Sequence, residues 1–410
     1  MSSPLLSSID RVHEGAPHRV KDEEKALLFR QICAGRSPTR QGLARRLDIR
    51  PSSVSEAIQE LVDDGLVIET QAAVKRNAAR SGRGKSGRPQ LTLAPRADRF
   101  VAISVYVDSR ELKAVLVTMQ EEVLAEEVRV LPPGAANREV KAALLDLLKR
   151  LPARVPSGCE LVGAGLSLVG KVNALTRTWV GAARWPKLKN LDLAAMESRL
   201  DFPLLIRRTN ESELEYFLDC TPSARRGTAL LLHWGFGIGS AVAFRGGLLT
   251  SSLGWFGEIG HTPVCPGSDA PCLCGSRGCL ETVAALWSMM PVLTAALGEL
   301  PEDEKKLAPL LGDPRLLRLP RFKQALTAMQ GALLVLSMVF YPDWILLSGP
   351  FTENPGVFRR FADGFRGLLP AHAQGAMSLS TIPVGMPGCR RGGANPLFRA
   401  ALAQALRRRT

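Results

Sequence analysis

Apolar residues fall at helical spacing early in the chain and at strand spacing later, and the change of period divides it. Residues 21–33 carry Ala26, Leu27 and Ile32 at helical spacing, and residues 39–47 bring Leu43, Ala44 and Leu47 to one side of a second short helix. A third begins at Arg50-Pro51-Ser52-Ser53, where a hydroxyl cap and an early proline mark a start, and Val54, Ile58 and Leu61 follow at i, i+4 and i+7 before Gly65 ends it. Residues 66–70 and 90–93 then alternate like two strands of a ribbon. From residue 98 the pattern becomes strand, strand, helix over 100–107, 112–118 and 139–151. Another strand is expected at 162–168, a helix at 191–200, and a strand at 203–206 that runs into a polar turn and helix. Residues 229–234 and 240–244 flank a glycine turn as a hairpin, and 344–347 form a late strand before Ser348-Gly349. The expectation is a mixed α/β chain with two lobes.

A chain of 410 residues, 46% hydrophobic and 22% charged, has the composition of a globular protein of two or three units. Its 53 Lys+Arg against 39 Asp+Glu leave a net charge of +14, which suits a polyanionic partner. The charge is concentrated: between residues 75 and 96 lie seven Lys/Arg and no acid, among Gly82, Gly84 and Gly87, so 76–89 reads as a mobile basic loop. Two short helices across a tight turn are the geometry of a helix-turn-helix, whose second helix enters the major groove of duplex DNA by its N-terminal residues. The face expected to meet bases is Ser52, Ser53, Ser55, Glu56 and Gln59, with Thr39 and Arg40 at the start of the preceding helix. Arg83, Lys85 and Arg88 of the basic loop would lie along phosphates as a wing.

Residues 1–12 hold no basic run followed by an apolar core, so a cytoplasmic location and no membrane partner are expected. The longest apolar stretch, 325–341, contains Thr327, Gln330 and Ser337 and fits a buried helix better than a membrane span.

Of the eight cysteines, Cys272, Cys274 and Cys279 crowd into one stretch shortly after His261. Three thiolates and an imidazole make a closed tetrahedral set for Zn²⁺, structural when all four ligands come from protein, with Gly275 and Gly278 letting the backbone fold the thiolates inward. Cys265 is a spare candidate ligand.

Gly257-Glu258-Ile259-Gly260-His261, the run from Cys272 to Glu281, the hairpin Gly235-Phe236-Gly237-Ile238-Gly239 and the preceding helix-turn-helix stand in the order found in the ROK family of repressors and sugar kinases, which the chain resembles over nearly its whole length. The resemblance implies a winged helix-turn-helix at 1–97, followed by a two-lobed, actin-like (ribonuclease H-like) ATPase fold. Lobe I would span 98–205, completed by a helix at 395–410, and lobe II 206–394. It also makes His261, Cys272, Cys274 and Cys279 the zinc ligands and places Glu258 and Glu281, with His261, beside sugar hydroxyls. Trp185 before Pro186 is expected to pack rather than to stack on a sugar.

Phosphoryl transfer needs a base for the attacking hydroxyl and a loop that the nucleotide phosphates can approach. Where the family's kinases have an aspartate and a Gly-Gly-Thr-like turn, this chain has Tyr106-Val107-Asp108-Ser109-Arg110. Counting from Pro203, the family's Asn-Asp pair falls on Arg208-Thr209; a shifted alignment puts Asn210-Glu211 there instead, and neither supplies an aspartate. No catalytic residue is therefore expected. The expected function is a DNA-binding transcriptional regulator, a repressor, acting as a homodimer or higher homo-oligomer. Its effector would be a sugar or sugar derivative bound in a degenerate kinase cleft at Glu258, His261, Glu281, Arg208, Thr209 and Glu211. Arg208, with Arg207 nearby, favours an anionic effector, a sugar phosphate or sugar acid. An active sugar kinase whose basic domain only localises it, and a regulator that no longer senses sugar, remain as alternatives.

Overall fold

The computed structural model describes residue 5 and residues 20–35, 38–71, 91–251, 256–264, 268–382 and 392–407. Three helices open it: α1 (Val20–Cys33), α2 (Arg40–Leu47) and α3 (Pro51–Asp63). Thr39 caps α2, its hydroxyl accepting from the Gly42 N–H at 3.0 Å. The hydroxyl cap expected on α3 is not there: Arg50 is the N-cap, with no side-chain bond, and Pro51 sits in the first turn. Proline has no N–H to satisfy at that position, which makes the missing cap tolerable. The strands β1 (Val67–Gln71) and β2 (Leu91–Pro95) pair antiparallel from Val67↔Pro95 to Gln71↔Leu91, so the ribbon stands. Arg83, Lys85 and Arg88 lie outside the described residues.

The first lobe is a five-stranded sheet in the order β10-β6-β3-β4-β5. Its strands are β3 (Phe100–Asp108), β4 (Glu111–Thr118), β5 (Val123–Val130), β6 (Glu160–Leu168) and β10 (Leu204–Arg208), which carries the sheet past residue 205. Along β3 alternate side chains enter two cores, as a strand's period of two requires. Val101, Ile103 and Val105 pack with Leu144 and Leu148 of α4 (Asn137–Arg150). Phe100, Ala102 and Tyr106 point the other way, into a core that also holds Phe29, Leu43, Ile58 and Leu61 of the three N-terminal helices and Phe398 and Leu402 of the last helix. The N-terminal three-helix unit is therefore packed on the back of the first sheet. A small sheet of β7 (Lys171–Asn173), β8 (Thr178–Gly181) and β9 (Leu191–Asp192) flanks it. The helix expected over 191–200 shrinks to α5 (Ala194–Glu197), because Leu191 pairs with Trp179 in β8 and Asp192 accepts from the Ala195 N–H.

From β10 the chain passes into α6 (Thr209–Cys220) and a second five-stranded sheet, β13-β12-β11-β14-β15. Here β11 (Thr228–Trp234) and β12 (Ile238–Phe244) form the expected hairpin, β13 (Gly247–Leu248) extends it, and β14 (Trp344–Ser348) and β15 (Ser378–Thr381) run parallel to β11 and to β14 respectively. Leu214 and Leu218 of α6 cover one face. The other is covered by α7 (Leu280–Ala284), α8 (Leu286–Leu297), α11 (Pro320–Phe340) and α13 (Pro355–Leu368), with the short α9 (Glu304–Leu307), α10 (Pro314–Arg318) and α12 (Pro350–Glu353) between them. The stretches Leu280–Leu297 and Pro320–Phe340 are long and apolar enough to cross a membrane by composition, yet both bury residues such as Leu286, Met289, Phe322, Met329 and Leu333 in this core. The last helix, α14 (Asn395–Ala405), returns to the first lobe.

Candidate functional site

The strand ends of the two sheets and the 258–281 segment enclose a cleft of about 430 Å³. Gly257 holds one wall: its φ is +74°, and a Cβ there would lie 2.0 Å from the Ser240 carbonyl oxygen, so only glycine lets this segment close onto β12.

Glu258, His261, Glu281, Arg208 and Thr209 all line the cleft, whereas Glu211 does not. Arg208, at the end of β10 and only 6% exposed, is held by two carboxylates. Its Nε and Nη2 donate to Glu211 Oε1 at 3.1 and 2.9 Å, and its Nη1 to Glu258 Oε1 at 3.2 Å. The second oxygen of Glu211 accepts the Arg208 backbone N–H at the start of α6. Arg207 is turned out of the cleft and paired with Glu215. The positive charge expected to draw an anion is thus already matched. Burial pushes the Glu258 carboxyl up from its ordinary range, against the pull of Arg208. Burial does the same to Glu281, whose oxygens accept the Ile238 N–H at 2.9 Å and Trp287 Nε1 at 3.3 Å and so brace the glycine hairpin. The Thr209 hydroxyl is buried at the cleft wall and makes no hydrogen bond among the described residues. Trp185 is fully buried, edge-on to Trp179 at 6.0 Å, and packs as expected.

The other half of the cleft is crossed by side chains. Asp108, the last residue of β3, meets Lys113 at 2.8 Å and Lys305 at 3.4 Å. Ser109 Oγ donates to the Glu302 carbonyl at 3.2 Å, and Arg110 pairs with the Glu302 carboxylate at 3.2 Å. Arg184 pairs with Glu304 and lies 4.4 Å over the Phe236 ring. Burial raises the Asp108 carboxyl, but the two lysines overcome it and hold it below the usual range. His233 Nδ1 lies 2.9 Å from Ser348 Oγ, which donates to Glu213 at 3.3 Å.

At the rim, one ligand atom from each of His261, Cys272, Cys274 and Cys279 lies within 4.8 Å of every other. Thiolates about 2.3 Å and an imidazole nitrogen about 2.0 Å from a tetrahedral Zn²⁺ sit roughly 3.8 Å (S···S) and 3.5 Å (S···N) apart. The Cys274–Cys279 separation of 3.8 Å and the Cys272–His261 Nδ1 separation of 3.5 Å fit that set. Gly275 and Gly278 take φ of +92° and +68° and turn the loop inward. Burial, with Lys171 nearby, pushes His261 down to about 4, leaving the ring neutral as a ligand must be. Burial pushes the Cys272 thiol up to about 12, a cost that a bound cation offsets. The other imidazole nitrogen faces Glu258 at 3.6 Å, so a carboxylate stands behind this candidate metal ligand. Cys265 lies outside the described residues.

On the N-terminal unit, Ser52, Ser55, Glu56 and Gln59 are exposed along α3 and Ser53 is half-buried. Arg40 is turned inward: it meets Glu69 at 2.8 Å, the Ser55 carbonyl at 3.0 Å and Gln59 Oε1 at 3.1 Å, tying α2 and α3 to β1. The exposed cations beside the start of α3 are Arg45, Arg46 and Arg50, which the reading of hydroxyls passed over. The adjacent arginines at 45 and 46, a few residues before Pro51, were the available signal.

The sequence profile of the ROK family matches residues 102–361, and that of the iron dependent repressor N-terminal DNA binding domain matches residues 34–72. The xylose repressor of Caldicellulosiruptor bescii is 23% identical over 291 residues, 69% of each chain. A glucokinase of Halalkalibacterium halodurans is 31% identical over 163 residues, 39% of this chain and 48% of its own. The crystal structure of a ROK family transcriptional regulator, a homolog of the E. coli MLC protein, superposes with a TM-score of 0.69 at 19% identity, covering 94% of this chain and 99% of its own, and so shares the fold.

Proposed function

The chain belongs to the ROK family, and we propose that it is a sugar-responsive transcriptional regulator, a repressor, whose N-terminal helices bind operator DNA. The observation that carries this reading is the core shared by α1–α3, the first sheet and α14, which makes the DNA-binding unit an extension of a ligand-binding lobe. Ligand can release DNA only by binding better to the conformation that holds DNA poorly. Movement of the two lobes about the cleft supplies the two states. Two winged helices in a homo-oligomer then meet two half-sites, at a spacing set by that movement. The protein works in the cytoplasm.

The cleft takes a sugar rather than turning one over. Counted from Pro203, Thr209 takes the place of the catalytic aspartate of the family's kinases, and under the shifted alignment Glu211 does; a threonine hydroxyl is too weak a base to accept the attacking hydroxyl's proton at neutral pH. Glu211, the residue that could have taken over, is engaged by the Arg208 guanidinium and backbone. The phosphate half is occupied by the Asp108–Lys305 and Arg184–Glu304 pairs and the Phe236 ring. The Glu258 carboxylate offers a polar partner to a polyol, and the Arg208 charge is matched by Glu211 and Glu258, which favours a neutral sugar over its phosphate. His261, Cys272, Cys274 and Cys279 would hold Zn²⁺, which would stiffen the loop that follows Glu258.

Calorimetry with a panel of neutral sugars and their phosphates, run beside an ATP-turnover assay on the same sample, tests this. The expected result is heat from a neutral sugar and no ADP formation. Sugar-stimulated ADP formation would make the protein a kinase with an accessory DNA-binding unit.

A further inference from the structure

The side chain of Lys25, on α1, is fully buried. Its ammonium lies 2.7 Å from Asp64, the C-cap of α3, and 3.4 Å from Glu60 in the last turn of α3. It also donates to the backbone carbonyls of Ala405 and Arg407, at 3.1 and 3.4 Å, at the end of α14. The last carbonyls of a helix have no partner within it and carry the negative end of its dipole, so a cation is drawn there. A buried ammonium is tolerated only when such groups surround it, and three hydrogen-bond acceptors and the Glu60 carboxylate, from two other helices, hold this one in place. A second tie runs alongside: Arg99 Nε donates to the Asp64 carbonyl at 3.0 Å and its Nη2 pairs with Glu160 of β6 at 2.9 Å.

The other end of α14 is fastened to α6. Asn395 donates to Asp219, and Arg399 pairs with both Glu215 and Asp219. Helix α6 begins in the cleft, where Thr209, Asn210 and Glu213 line the wall. One strut therefore runs from the helix that starts at the ligand site to the C-terminal end of the recognition helix. We propose that Lys25 is a positioning residue for DNA recognition, locking α3 to α14 so that the attitude of α3 follows α6 and the cleft. The inference rests on the DNA-binding reading above, and its test separates the two.

The full-length protein and its Lys25→Met variant are titrated with a random 30-bp duplex over a range of salt, with amide hydrogen exchange read in parallel. Lys25 faces no solvent, so its loss leaves the number of phosphate contacts, and hence the log–log salt slope, unchanged. Affinity falls about tenfold, because a loosened α3 must be ordered on binding. Exchange rises in residues 61–65 and 403–407 and stays unchanged in β14. Asp64→Asn, which keeps the lysine, gives the same pattern and serves if the methionine variant does not fold. A slope reduced by about one would mean that Lys25 meets a phosphate directly; unchanged affinity, or exchange that rises throughout, would equally overturn the proposal. A wild-type protein that binds no duplex, with the local exchange result intact, would instead sink the DNA-binding reading and leave the tie standing.

Discussion

Arg208 and Glu258 meet across the cleft at 3.2 Å, the arginine from the last position of the first sheet and the glutamate from the segment that leads into the cysteine loop. A ligand that takes hydrogen bonds from Glu258 competes with Arg208 for the same carboxylate, so ligand binding and the contact between lobes are one equilibrium. The arginine also has Glu211 to fall back on, which lowers the cost of letting Glu258 go.

Replacing Arg208 with methionine leaves Glu211 and Glu258 facing each other without the guanidinium that bridges them, and only the more distant Lys171 acts on Glu258. The expected loss is about 3 kcal/mol of stability, read by denaturant unfolding at neutral pH. Arg208→Lys, which restores the charge without the forked geometry, recovers part of it.

Backbone bridges Pro263↔Cys279 and Pro271↔Arg277 close the described part of the cysteine loop, and the metal set would tie its side chains. One zinc per chain is expected by elemental analysis. Cys279→Ser or prolonged chelation removes it and costs several kcal/mol of stability, because binding free energy at such a site is folding free energy. A chain purified without metal and equally stable would contradict this.

The Asp108 pairs give the phosphate half of the cleft a pH signature. The folded carboxyl is held below its ordinary value of 3.8, so its contribution is fully present above that value and is lost as pH falls from there through the lowered folded value. Asp108→Asn therefore melts earlier than wild type at pH 7, and the gap closes below about pH 4. A gap of the same size at pH 7 and below about pH 4 would show that the ion pairs do not contribute.

Arg46 and Arg50 flank the start of α3 and are free to reach phosphates, while Arg40 is tied to Glu69 and Gln59. Arg46→Ala and Arg50→Ala each lower the salt slope of duplex binding by about one. Arg40→Ala weakens binding through misplaced helices and leaves the slope unchanged.

Much of this architecture is written locally. The three N-terminal helices follow from apolar spacing, the β11–β12 hairpin from its glycine turn, and the metal set from four ligands within nineteen positions, His261 to Cys279. What escaped the sequence is of two kinds. Strand β5 was missed because it is an edge strand, half-exposed, and its Glu126, Glu127 and Arg129 interrupt the apolar signal. The cross-cleft pairs and Lys25 were missed because their partners are remote. A lysine on an amphipathic helix reads as solvated, and nothing near residue 25 announces carbonyl acceptors 380 and 382 positions away. The anionic effector was inferred from Arg208 without sight of Glu258, 50 residues on, which meets that charge.

The most direct test is binding of the full-length protein to the DNA upstream of its own gene, titrated with salt, with and without a pool of neutral sugars. The account predicts tight, salt-sensitive binding that one sugar weakens at least tenfold, the coupling of ~1.4 kcal/mol expected when ligand and DNA prefer different lobe arrangements. Binding no tighter than to a random duplex, or tight binding indifferent to every sugar, would contradict it.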